Sequence, residues 1–134
     1  MVAGLMALRP DYIVDAIDSV SPKITFMRQA YHSGLPLVSS MGAGGKLDPT
    51  ALRVADISKS YNCPFAQQVR KQLKGFGIYK GIEVVFSPEE SDKESLMLTD
   101  GSKYKKSAYG TISYLPATFG AVVASVVIRK LTGR

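Results

Sequence analysis

"YIVDAIDSVSPKITFMRQAYHSGLPLVSS", residues 12–40, decides how this chain folds. Its first six residues have strand composition, and the run ends among two carboxylates, Asp15 and Asp18. A charge at the middle of a sheet is costly to strip of water, so both acids are expected near the strand's exit. SPKITFMRQAYHSG then carries helix signals at both ends. Ser21 can cap, Pro22 suits the first turn, and Gly34 can close the helix in a left-handed conformation. Ile24, Met27, Ala30 and Tyr31 recur at helical spacing and give its apolar face. LPLVSS follows as a second short apolar strand. Strand, helix and strand in about thirty residues outline a βαβ unit, which implies parallel strands and a right-handed crossover.

Working outward, MGAGGKLDPT (41–50) is a glycine-rich connection into ALRVADI, which reads as another strand. NCPFAQQVRKQLKG is a second helix, with Pro64 near its start, Phe65, Val69 and Leu73 on one face and Gly75 after its end. IEVVFS is a strand, and PEESDKESLMLTDGSKYKK is polar and mixed in charge, as an exposed, mobile loop would be. YLPATFGAVVASVVIRKLTGR reads as a buried helix opened by Pro116, with basic residues at its carboxyl end. Before Tyr12 there is only a short leader ending at Pro10. The expected architecture is α/β, a single domain over residues 1–134.

Composition bounds the function. The 134 residues are 46% hydrophobic and 21% charged, which fits a globular domain and argues against disorder. A net charge of +6 favours an anionic partner without choosing among nucleotide, RNA and acidic protein. Five basic residues and no acid lie between Lys59 and Lys80, a pattern that suits phosphates or a solvated helix face. One cysteine, Cys63, excludes an internal disulfide and a four-cysteine zinc site, and fits a reducing, cytoplasmic setting. No signal peptide is evident. The longest apolar run, ATFGAVVASVVI, is shorter than a bilayer requires, so no membrane partner is expected.

Four groups invite chemistry. GAGGK suggests a phosphate loop, but Leu47 follows the lysine where Ser or Thr belongs and a strand follows where a helix belongs; a tight structural turn fits better. His32 has no second histidine to share a metal with. Cys63 stands before Pro64 at a helix start, where a thiolate can be stabilised, yet no histidine lies near it in sequence; a packed side chain or helix cap fits. Asp15 and Asp18, three apart, face opposite sides of a continuous strand. If the strand ends near Ala16, both can approach one site, and hard oxygen ligands there suit magnesium on a nucleotide.

Taken in order, VDAIDSVSPK, PLVSSMGAGGKLDPTALRVADISKS, CPFAQQVRKQLK and GTISYLPATFGAVVASVVI resemble the carboxyl-terminal half of the tRNA threonylcarbamoyladenosine dehydratases. These belong to the ubiquitin-activating-enzyme-like (ThiF/MoeB/HesA) adenylyltransferases. The resemblance runs from Tyr12 to Leu131 and is most specific in GAGGKLDPT…VADI. It implies a three-layer, Rossmann-like mixed sheet, here incomplete because the amino-terminal nucleotide-loop half is missing. It also implies ATP and Mg2+ as cofactors and tRNA as partner, with activation of the threonylcarbamoyl carboxylate at adenosine 37 followed by cyclisation. Under the resemblance, Asp18 is the catalytic, metal-binding carboxylate; Ser19 stands where relatives often have Asn, and Lys23 takes the place of a basic residue of the cofactor-binding motif. Asp15 supports Asp18 or caps a strand end.

The departures are as informative. No GxGxxG occurs, and KKSAYGTISY carries no cysteine before the last helix, where several relatives have one. The zinc-binding cysteine pairs of the sulfur-carrier enzymes are absent too, which favours the dehydratases. The alternatives are a sulfur-carrier or ubiquitin-like-protein adenylyltransferase, and a non-catalytic dimerisation or binding module without the ATP loop. Because an open sheet edge invites pairing, a homo-oligomer, or completion by a missing amino-terminal half, is expected.

Overall fold

The computed structural model describes residues 2–90, 96–98 and 107–134. In chain order its elements are α1 (Val2–Ala7), β1 (Ile13–Asp15), α2 (Val20–Ser33), β2 (Leu37–Ser40), β3 (Arg53–Asp56), α3 (Pro64–Lys74), β4 (Glu83–Phe86), β5 (Leu96–Leu98), β6 (Ser107–Tyr109) and α4 (Tyr114–Thr132). Short 3-10 turns at Pro49–Ala51 and Ile57–Lys59 flank β3. The main sheet runs β1-β2-β4-β3. The first two pairings are parallel, with Ile13 opposite Leu37 and Val38 opposite Glu83; β3 closes the far edge antiparallel, with Val54 opposite Val85. The mixed sheet expected from the sequence is therefore present.

Strand alternation splits the apolar side chains into two layers. On one face Leu37, Val84 and Phe86 join Ile24, Met27 and Ala30 of α2 and Ala66, Val69 and Leu73 of α3. On the other, Val38 and Val85 meet Leu115, Phe119, Val123 and Val126 of α4. Each Val, Leu, Ile, Met or Phe among them contributes about 1.5–3 kcal/mol on full burial. Helices on both faces make three layers.

The helix boundaries follow local chemistry. Gly34 ends α2 at φ 74°, a left-handed conformation that glycine adopts freely, and its N–H donates to the Tyr31 carbonyl. Pro64 occupies the first turn of α3 behind the N-cap Cys63, whose Sγ accepts from the Ala66 N–H at 3.4 Å. The packed, capping role expected for that thiol is what the structure gives.

Four expectations need correction. Residues 2–7, read as part of a leader, form α1, which packs Met6 into the core beside α2; its apolar residues have that surface to cover. The helix after β1 begins at Val20, so Ser19 and not Ser21 is its N-cap, and the Ser19 hydroxyl makes no cap bond. The last helix is not buried all round. One stripe meets the sheet, while Tyr114, Ile128 and Leu131 are exposed. The apolar run also belongs to a 19-residue helix that by length and composition could cross a membrane, so run length did not exclude it. Here the contact of α4 with β2 and β4 accounts for the buried stripe. Most of the polar segment 88–106 lies outside the described residues; within it Leu96–Leu98 pairs antiparallel with Ser107–Tyr109.

Candidate functional site

The carboxyl ends of β1 and β2 open on a cleft of ≈ 970 Å³. Asp18, Ser40, Lys46 and Cys63 line it among apolar residues that include Met41, Phe65 and, from α4, Phe119 and Val123. Parallel sheets bind ligands outside the carboxyl ends of their strands, and this cleft has that position.

β1 stops at Asp15, and the turn sends the two acids to different fates. Asp15 is 1% exposed and forms an ion pair of 2.7 Å with Lys23, which is fully buried. The Asp15 carboxylate also accepts from the Ser39 hydroxyl at 2.6 Å and from the Ile17 N–H at 3.0 Å. Lys23 Nζ donates further to the carbonyls of Ile17 and Ser40, at 3.0 and 2.9 Å. An ammonium has three donors, so all are committed to protein acceptors. Burial pushes the Lys23 pKa below its ordinary 10.5, against the opposing pull of Asp15 and, more weakly, Asp18. Lys23 thus fastens the end of β1, the 16–18 turn and the end of β2 into one unit. Asp18 is exposed at the cleft and is the one carboxylate among the described residues lining it. Ser19 is exposed beside it at the start of α2.

The expected site residues therefore share one turn but not one environment. Lys23, named as a cofactor contact, holds none of its donors free for a phosphate; its geometry is that of a brace beneath Asp18. Asp15 is the support that the sequence suggested as one option. His32 packs edge-on against Tyr31, and no group of three or more possible metal-ligating side chains occurs among the described residues.

Sequence reasoning gave Lys46 no role beyond the turn that holds it. The turn is real: Gly45 has φ 74°, and a Cβ on Gly42 would stand 3.2 Å from Phe65 Cβ. Lys46 itself is 2% exposed and donates to the Asn62 carbonyl at 2.7 Å and to the Glu89 carbonyl. Burial lowers its pKa from 10.5, opposed by Cys63 and Glu89. The Glu89 carboxylate in turn accepts from the backbone N–H groups of Leu47 and Asp48, at 3.0 and 2.8 Å. Three loops are pinned together at one rim of the cleft. A lysine among glycines was the only signal in the sequence, and Glu89 in a polar loop gave none.

The sequence model of the ThiF family matches residues 2–134. The chain belongs to the ThiF family. The tRNA threonylcarbamoyladenosine dehydratase of Bacillus subtilis is 36% identical over 128 residues, covering 90% of this chain and 50% of that protein. The Escherichia coli enzyme of the same name is 33% identical over 150 residues, covering 99% of this chain and 56% of its own length. Crystal structures of the E. coli dehydratase TcdA in complex with AMP and with ATP each match at a TM-score of 0.83 and 34% identity, over 98% of this chain and 52% of theirs. The chain spans about half the length of these bacterial relatives. Both the Rossmann-type fold and the resemblance to this dehydratase branch are borne out.

Proposed function

We propose that this chain supplies the carboxyl-terminal part of the active site of an ATP-dependent tRNA threonylcarbamoyladenosine dehydratase. The observation that carries the reading is the match over 98% of the chain to structures holding AMP and ATP, with a carboxylate-bearing cleft at the strand ends. The reaction would be adenylation of the threonylcarbamoyl carboxylate at adenosine 37 by ATP with release of pyrophosphate, then ring closure that expels AMP. The comparisons lend no support to the sulfur-carrier alternative.

Asp18 would hold Mg2+. One carboxylate is a fitting donor set, because magnesium keeps most of its waters and takes its other ligands from substrate phosphates. When bound, the ion offsets phosphate charge during transfer. The protein's own part is positional. Lys23 and Asp15 hold the turn that presents Asp18, Ser19 faces solvent beside it, and the apolar α4 wall limits water around the reacting carboxylate. Completion of the sheet along β1, by a second copy or by a companion segment bearing a glycine-rich nucleotide loop, belongs to the same proposal. Among the described residues β1 is paired on one side only, and Val14 is 46% exposed. A reducing cytoplasmic compartment goes with it.

Calorimetric titration with ATP, with and without Mg2+, tests the reading. Asp18→Asn should weaken magnesium-dependent binding about tenfold or more, a loss of about 1.4 kcal/mol, and leave magnesium-free binding unchanged. Binding indifferent to both the ion and the substitution sinks the assignment.

A further inference from the structure

The far end of α3 and the loop that follows it carry cations that neither the cleft nor the sheet uses. Lys59, Lys71, Lys74 and Lys80 are exposed and Arg70 is half-buried, with no acid anywhere from 59 to 80. Lys71 and Lys74 have an ordinary reason to be there, since a helix carboxyl end favours positive charge. That reason does not reach Lys59, Arg70 or Lys80, which lie outside the last turn. Nor does it account for the exposed rings in the same stretch of sequence: Tyr61, Phe76 and Tyr79 are 54%, 50% and 62% exposed. The Arg28 guanidinium, from α2, lies 3.6 Å from the centre of the Phe76 ring, a cation–π contact.

Of these groups Arg70, Lys74 and Tyr79 line a concavity of ≈ 290 Å³, with Ser58 on its rim and Ile57, Leu73 and Ile78 below. Arg70 is fixed by bonds from Nη1 to the carbonyl and hydroxyl of Ser60. Asp56, at the border, has its carboxylate turned to the N–H groups of Ser58 and Gly81, at 2.9 and 2.8 Å.

We propose that this face docks RNA, its phosphates against Arg70, Lys71, Lys74 and Lys80, and unpaired bases stacked on Tyr79. The inference rests on the reading that the substrate is a tRNA, and it assigns where on the surface that RNA lies. RNA is favoured over an acidic protein because of the rings: cations alone serve a polyanion, whereas cations interleaved with exposed aromatics serve a strand whose bases stack. The position also suits it. Pro64 and Phe65, at the start of α3, line the cleft, and Arg70 and Lys74 lie further along the same helix, about 9–15 Å from Pro64. One folded RNA could reach both.

The test follows a fluorescein-labelled RNA stem–loop binding to the full chain by anisotropy across a range of KCl. Lys71→Ala/Lys74→Ala should weaken binding at least tenfold at low salt and flatten the slope of log Kd against log[salt] by about 1.4–1.8, the share of two phosphate contacts. Tyr79→Ala should weaken binding about five- to a hundredfold with the slope unchanged. All three side chains are exposed, so melting temperatures should fall by no more than a few degrees, the share of the two helix-end charges. An unchanged affinity and slope in the double-lysine variant overturns the proposal, as does a wild type that does not bind the stem–loop. Poly-glutamate bound as tightly as RNA and insensitive to Tyr79→Ala would also overturn it, assigning the face to an acidic protein. Magnesium–ATP binding, measured on the same variants, should stay at the wild-type value. Its dependence on Asp18 judges the cleft separately, so the two readings fail by different measurements.

Discussion

Lys23→Met removes the charge from the brace beneath Asp18 and keeps much of its length. Both side chains of the Lys23–Asp15 pair have 0% exposure and lie 2.7 Å apart, so the substitution leaves a carboxylate buried without its cation. Breaking such a pair from one side costs about 3–5 kcal/mol. Asp15 retains the Ser39 hydroxyl and the Ile17 N–H, which places the expected loss toward the middle of that range, about 4 kcal/mol. A domain of this kind has only about 5–15 kcal/mol in all, so the variant should be folded but visibly weakened. Urea unfolding followed by circular dichroism should show the midpoint falling by about 2 M at unchanged m, taking m near 2 kcal/mol/M. The Asp15→Asn/Lys23→Met double variant buries no charge and should recover about 2 kcal/mol relative to the sum of the single substitutions. A loss below about 1 kcal/mol for Lys23→Met, or a double variant equal to the sum of the singles, refutes the account of the pair as a coupled brace.

Lys46→Met takes the donor from the Asn62 and Glu89 carbonyls and should cost about 1–2 kcal/mol overall. Amide exchange should show protection lost first in residues 41–48 and 60–63; retained protection there counts against the pinning role. Gly120→Ala should raise stability by about 0.5–1 kcal/mol in thermal melts, because a Cβ there meets nothing within 4 Å and glycine is a poor helix residue; a fall would mean the site is not open. Burial pushes the Asp56 carboxyl up, but hydrogen bonds from Ser58 and Gly81 outweigh it and hold the group below its ordinary 3.8. Its contribution is therefore present above pH 3.8 and is lost as pH falls through the lower folded value. The stabilities of wild type and Asp56→Asn should converge on acidification, and a gap that is constant with pH would contradict this.

The β1-α2-β2 unit was legible because its punctuation is local: Pro22 near the start and Gly34 at the end of a helix with apolar residues at helical spacing. The same holds for α3, bounded by Cys63-Pro64 and Gly75, and for the 41–50 turn, whose Gly45 needs a left-handed backbone. What escaped is what depends on distant partners. Burial of Lys23 rests on Ser40, seventeen positions away, and burial of Lys46 on Glu89, forty-three positions away. No pattern within either segment reports those contacts. The exposure of helix α4 is hidden for a related reason: an apolar composition does not say how much of its circumference the sheet will cover, and here only one stripe is covered. Helix α1, six residues without a charge or a cap signal, acquires its reason only from the surface of α2.

The central pairing of the sheet joins Val38 to Glu83, 45 positions apart, whereas β1 and β2 are joined across a single helix. Closing the longer span costs chain entropy before any ladder bond repays it, so contacts of this separation slow folding. The order of events on the way to the native state should follow: β1, α2 and β2 associate early, and β4 docks late, bringing β3 with it as an antiparallel neighbour. Substitutions at Val84 or Val85 would then act mainly on the unfolding rate, while those at Met27 or Val38 would slow folding itself.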